Sequence, residues 1–169
     1  MDETEVDTLA REQLNFVMAF FARVDAKISV LLGVDLAMLA FLATKTPRLA
    51  LWEARLLFAA IPLLLLAASL WHLYRASFPQ LDGGRESLIY FREIAARTEG
   101  KFIEAYKSQN RTAVLSDTLG QVWLNSQILT QKFDHLKTAF LFTAWSIVPW
   151  LITLASFVVA NRAADAVVR

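Results

Sequence analysis

Asp35 is an acid inside an apolar run, and a carboxylate placed there needs a partner or a purpose. It would serve as a proton or cation site, or line a pore that opens. Alternatively, it would be a hydrogen-bonded carboxyl that fixes helix packing, with Ser69, Ser146 and Ser156 as available hydroxyls. Just upstream stand Arg23, Asp25 and Lys27. On a helix Arg23 and Lys27 share a face, whereas Asp25 sits with Phe21 and Ser29 and looks toward some other element. Long basic side chains at the edge of a span are also ordinary interfacial anchors. On spacing alone Arg23, Asp25 and Lys27 read as interfacial anchors, and Asp35 as either that packing carboxyl or a pore or gate residue.

A second group mixes cations with aromatic rings: Arg85, Arg92, Lys101, Lys107 and Arg111 among Tyr90, Phe91, Phe102 and Tyr106. This combination suits a nucleotide, with charge for a phosphate and a flat face for a base. Arg92, Lys101, Tyr90 and Tyr106 are the candidate ligand-binding residues. Glu86, Glu93, Glu99 and Glu104 alternate with the cations, which is also how a solvated, salt-bridged helix face reads. His72 and His135 flank the long middle segment and could meet in the fold, but without an acid cluster they make a poor metal site. The chain carries no H-E-x-x-H, no G-x-S-x-G and no glycine-rich phosphate loop, so no catalytic role, cofactor or metal is expected.

The elements that must position these residues follow from composition. The chain has 169 residues, is 56% hydrophobic and has mean hydropathy +0.42, with 5 glycines and 4 prolines. That is too apolar for an ordinary soluble domain and too poor in turn residues for a β-barrel. A net charge of +1 gives no footprint for nucleic acid, and the absence of cysteine excludes disulfides and thiolate chemistry. An acidic start (Asp2, Glu3, Glu5, Asp7) is unlike a secretory signal, so an uncleaved N-terminus is expected.

Three spans are expected, at 28–43, 56–71 and 139–160. Lys45 and Arg55 can snorkel, and Trp52, Trp71 and Tyr74 suit the headgroup level. The N-terminus and segment 74–137 then share a side. Arg11, Arg23, Lys27, Arg75, Arg85, Lys132 and Lys137 lie near span ends there, against Lys45, Arg48, Arg55, Arg162 and Arg169 opposite. The positive-inside rule places the first set in the cytoplasm.

The helices continue beyond the spans. Leu14, Val17, Phe21, Val24, Ile28 and Leu31 step by three and four onto Asp35. Leu115, Leu119, Val122, Ser126, Leu129, Phe133, Leu136 and Phe140 repeat the pattern before the third span. Ser77-Phe78-Pro79 and Asp82-Gly83-Gly84 break the chain after the second span. A helix is expected over 85–98 with Leu88, Phe91 and Ala95 on one face, then a short helix over 101–108, then a turn at Asn110. The fold class is an all-α membrane protein. Three transmembrane helices join a helical cytoplasmic bundle made from the N-terminal helix (about 4–27) and segment 74–137. The whole chain, 1–169, is expected to be one helical membrane domain.

Asp25-Ala26-Lys27-Ile28-Ser29-Val30-Leu31-Leu32-Gly33, a second span soon after, Leu88-Ile89-Tyr90-Phe91, and a heptad helix over 121–137 leading into a last span together resemble the transmembrane effectors of the Pycsar antiphage system. The resemblance covers about 20–160. Ile28 stands where that family usually has a small residue, and Asp35 where an amide or small residue is common. The resemblance implies an effector of the bacterial inner membrane, working beside a pyrimidine nucleotide cyclase. It would sense 3′,5′-cyclic UMP or cyclic CMP, act as a homo-oligomer against membrane lipid, and cause abortive infection, with Asp25 and Lys27 coupling ligand state to the spans and Asp35 as a gate residue. The competing readings are a structural or partner-binding membrane subunit, and a small channel or transporter using Asp35.

Overall fold

In a computed structural model of the chain, residues 2–46, 52–78, 84 and 86–168 are described. Arg48, Pro79, Asp82, Gly83, Arg85 and Arg169, and the side chains of Trp52 and Arg55, lie outside them. All regular structure among the described residues is helical: α1 (Glu3–Lys45), α2 (Trp52–Ser77), α3 (Phe91–Ala95), α4 (Glu99–Ser108) and α5 (Arg111–Val168). Three helices, α1, α2 and α5, contain stretches long and apolar enough to cross a membrane. The expected spans 28–43, 56–71 and 139–160 fall within them.

The chain divides into two compact units, Met1–Asp25 with Pro79–Lys132, and Ala26–Phe78 with Phe133–Arg169. In the first, Glu5 reaches back to the Asp2 amide and so caps α1. Thr98 caps α4, accepting from the Lys101 amide, and Asn110 caps α5, its Oδ1 accepting from the Ala113 amide at 2.8 Å. Arg111 donates to Glu3 and Asp7, which ties the start of α5 to the start of α1. These exposed pairs set register more than stability.

The expected helix over 85–98 is not formed; only Phe91–Ala95 is α-helical. The amides that would have entered the helix ladder are taken by side chains. Ser87 Oγ accepts from Ile89 and Tyr90, and Asp117 accepts from Leu88. Glu86 sits at φ 64°, which no α-helix allows. Arg97 completes the turn by donating to the carbonyls of Glu86, Ser87 and Glu93. Leu88 is buried while Phe91 is exposed, so the two do not share an inward face.

In the second unit α1, α2 and α5 pack through polar as well as apolar contacts. Pro62 has no amide to offer the Phe58 carbonyl one turn earlier, and Thr153 Oγ1 on α5 shares its hydrogen between that carbonyl at 3.0 Å and the Pro149 carbonyl of its own helix at 2.8 Å. Trp150 Nε1 donates to the Met38 carbonyl, and Asn161 donates to Lys45 at the end of α1. Leu42, Ala59 and Phe157 form an apolar cluster with Trp150 packed against it.

The stripe expected on α1 is the inward face, with Val17, Val24, Ile28, Leu31 and Asp35 all buried. On α5 the expected stripe holds at Leu136 and is displaced at Leu119 and Phe140. Leu119 and Phe140 are exposed, and the buried positions are Thr118, Gln121, Lys132, Leu136, Ala139, Thr143, Ser146, Thr153, Phe157 and Ala160. From Ala139 onward, within the third span, helices meeting in a membrane gain little by burying large apolar side chains, which lipid solvates as well. Small and hydroxylated residues allow close approach and hydrogen bonding instead.

Candidate functional site

Asp35 is fully buried. Ser69 Oγ from α2 donates to its Oδ2 at 2.6 Å, and Thr143 Oγ1 from α5 donates to its Oδ1 at 2.7 Å. The two hydroxyl oxygens are 2.9 Å apart, and Ser146 donates to the Thr143 carbonyl. One carboxyl therefore ties all three span-forming helices together. Of the serines considered from sequence, Ser69 is the partner. Ser146 and Ser156 bond backbone carbonyls on their own helix. Sequence reasoning misses Thr143, although it belongs to the row of small and hydroxylated residues on α5.

In the first unit Asp25 Oδ1 accepts from Lys132 Nζ at 2.6 Å. The Lys132 side chain is only 6% exposed while that of Asp25 is 54% exposed, so a buried ammonium depends on a half-solvated carboxylate. The Lys132 ammonium also lies 5.7 Å from the centre of the Phe21 ring. Lys27, in the second unit, lies over Phe133 at 5.9 Å, and Arg23 over Phe20 at 4.9 Å. In the sequence Lys132 counts only as a flanking cation. Its place on the buried stripe of α5 is what gives it this role.

The four candidate ligand residues fall on two short helices. Tyr90 precedes α3 and packs edge-on against Phe91, while Arg92 is exposed on α3. Lys101 and Tyr106 are exposed on α4, where Tyr106 meets Phe102. None of the four lines the cleft of about 500 Å³ in this unit, which is bordered by Glu86, Ser87, Asp117, Gln121 and Trp123. That cleft offers an exposed indole, an amide and a hydroxyl, but its two charged groups are acids, which oppose a phosphate. Arg97, unremarked in the sequence, is spent on backbone carbonyls.

His72 and His135 do meet in the second unit, Nδ1 to Nδ1 at 3.1 Å, with Phe142 stacked on His72. One Nδ1 must carry the hydrogen and the other the lone pair, so donor and acceptor are set by the tautomers. Both rings lie just beyond the spans read from hydropathy. Among the described residues no three His, Cys, Asp or Glu side chains gather to hold a metal.

Burial, and then the neighbouring His72 and Arg75, hold His135 below the ordinary imidazole value of 6.5, with Asp134 opposing. The folded protein therefore resists a proton that the unfolded chain accepts. Stability should fall as pH drops through 6.5 toward the lower folded value. The melting midpoint is expected to decline between about pH 7 and pH 5, and to decline less in H135Q. Parallel declines in the two proteins would assign the effect to other groups.

Compared with known proteins, the chain matches the Pycsar effector protein domain over residues 9–159. No curated protein and no solved structure matches it. The matched stretch includes the Asp35 knot, the Asp25–Lys132 pair, the histidine pair and both short helices, and the chain belongs to the Pycsar effector family.

Proposed function

We propose that this chain is a membrane-embedded effector of antiphage defence that senses cyclic UMP or cyclic CMP and, on binding it, impairs the inner membrane and causes abortive infection. The observation that carries the reading is the match to the effector domain over 9–159, together with three helices long and apolar enough to span. Membership of the family links the chain to cyclic nucleotide signalling, and the domain is that of a transmembrane effector rather than of a known enzyme.

In this reading the chain works as one helical membrane domain and as a homo-oligomer, beside a pyrimidine nucleotide cyclase that supplies the messenger. The N-terminus and segment 74–137 face the cytoplasm. Arg92 and Lys101 hold the single phosphate charge by charge-assisted hydrogen bonds, and Tyr90 and Tyr106 offer ring faces to the base. Asp25, Lys27 and Asp35 couple the ligand state to the spans. Binding shifts the helices only if the nucleotide favours one arrangement over another. Asp35 gates by exchanging partners; as an ion site it would first have to shed both hydroxyls that hold it.

The test is binding of cyclic UMP, cyclic CMP, cyclic AMP and cyclic GMP to the purified full chain in detergent, by titration calorimetry. Preference for one pyrimidine ring is expected, and R92Q or K101Q should weaken it about tenfold or more, since each removes a bond to a charged group. Indifference to all four nucleotides in folded protein would favour a partner-binding membrane subunit.

A further inference from the structure

In the second unit an apolar groove of about 730 Å³ runs along α1 and α5. Val30, Val34, Phe140 and Ile147 line its length and are all exposed. Two charged residues line it as well, Lys27 and Lys137, and no acid does. Among the described residues neither lysine is in an ion pair, and the Lys27 ammonium rests over the Phe133 ring.

The Thr143–Asp35 hydrogen bond fixes where these two helices meet. Lys27 precedes Asp35 on α1 and Lys137 precedes Thr143 on α5, so both lysines lie on the same side of that contact. At ~1.5 Å per residue they stand roughly 9–12 Å from it along their helices. From Phe133 to Ile147 the lining of α5 covers roughly 21 Å, enough for an acyl chain crossing a leaflet of about 15 Å and for the headgroup above it.

We propose that this groove binds one anionic phospholipid, its phosphate between Lys27 and Lys137 and one acyl chain along Val34, Phe140 and Ile147. Charge decides the occupant. Apolar length alone would accept any lipid or a helix of another chain, but two lysines without an acid favour an anion at that end. A second copy entering the same way up would bring its own Lys27 and Lys137 to this depth and add to the positive charge. The bound chain would also lie against Thr143, which lines the groove and holds Asp35. The bound acyl chain and Asp35 would then meet through one side chain.

Native mass spectrometry of the full chain, released from detergent with equal amounts of phosphatidylglycerol and phosphatidylcholine of identical chains, tests this. Wild type should retain one phosphatidylglycerol with roughly twenty-fivefold preference, about fivefold for each lysine. K27Q/K137Q should lose the preference while retaining phosphatidylcholine as before. A144F, which fills the groove from α5, should lower retention of both lipids. Unchanged preference in K27Q/K137Q would overturn the assignment. So would displacement of the lipid by inorganic phosphate or cyclic UMP at matched concentration, since the lysines would then read a free phosphate. The chain has no cysteine, so A144C gives a single thiol; a disulfide joining two copies through it would show that the groove is covered by another chain, and would overturn the proposal too.

Discussion

Asp25→Ala is expected to lower stability by about 3 kcal/mol, the low end of the cost of stranding a buried charge, because Asp25 itself is half-solvated. The larger share comes from Lys132. Its ammonium is almost fully enclosed, and without the carboxylate its hydration is lost with the Phe21 ring as partial compensation. Lys132→Met should cost less, since it removes the buried charge and leaves an acid that water can reach. The double variant D25A/K132M should therefore be more stable than D25A alone, a sign reversal that simple loss of contacts does not produce. Melting midpoints of the four proteins in one detergent check it. D25A indistinguishable from wild type would show that Lys132 finds water or another acid in the folded state. The double variant also separates stability from signalling. If Asp25 couples ligand state to the spans, D25A/K132M should recover its melting midpoint without recovering toxicity to cells producing the messenger.

Asp35→Ala is expected to cost about 2 kcal/mol, near the upper range for two hydrogen bonds between helices in a membrane. The variant leaves the Ser69 and Thr143 hydroxyls without their shared acceptor and opens space where three helices meet. Part of the loss is recovered because Thr143 can return fully to the Ala139 carbonyl, already 3.2 Å away. Asp35→Asn should cost less than alanine, since the amide keeps the shape and still accepts one hydroxyl proton. Thr143→Val should be more damaging in the wild-type background than in D35A, because only with Asp35 present does it leave a buried carboxyl oxygen unmatched. Thermal melting of D35A, D35N, T143V and D35A/T143V gives that coupling directly. Additive costs would mean that Asp35 and Thr143 act independently and that the knot is not a unit.

Much of the scaffold is legible in the residues alone. Long apolar runs place three spans, since about 20 residues are needed to cross and few charges are tolerated there. The stripe on α1 leads correctly onto Asp35 because its inward positions are large and apolar outside the membrane and stay in step within it. The same reasoning misplaces the inward face of α5. There the large residues Leu119 and Phe140 face outward, Leu136 stays inward as expected, and the rest of the inward row is Thr118, Gln121, Lys132, Ala139, Thr143 and Ser146. Within the third span that row is small and hydroxylated (Ala139, Thr143, Ser146), and hydropathy ranks such a row below an apolar one. The expected helix at 85–98 fails for a different reason. Ser87 and Asp117 compete for its amides, and Asp117 lies far along the chain.

By itself the sequence determined what is local or cumulative: helical class, span number and the resemblance carried by its first span and the helices that follow. Tertiary structure alone decided the pairings, Asp25 with Lys132, Asp35 with Ser69 and Thr143, His72 with His135, and Thr153 with the carbonyl that Pro62 leaves open. Periodicity states which residues share a face of one helix. Which face meets which neighbour is set by the joint free energy of satisfying buried polar groups on several helices at once, and no single stretch of sequence contains that balance.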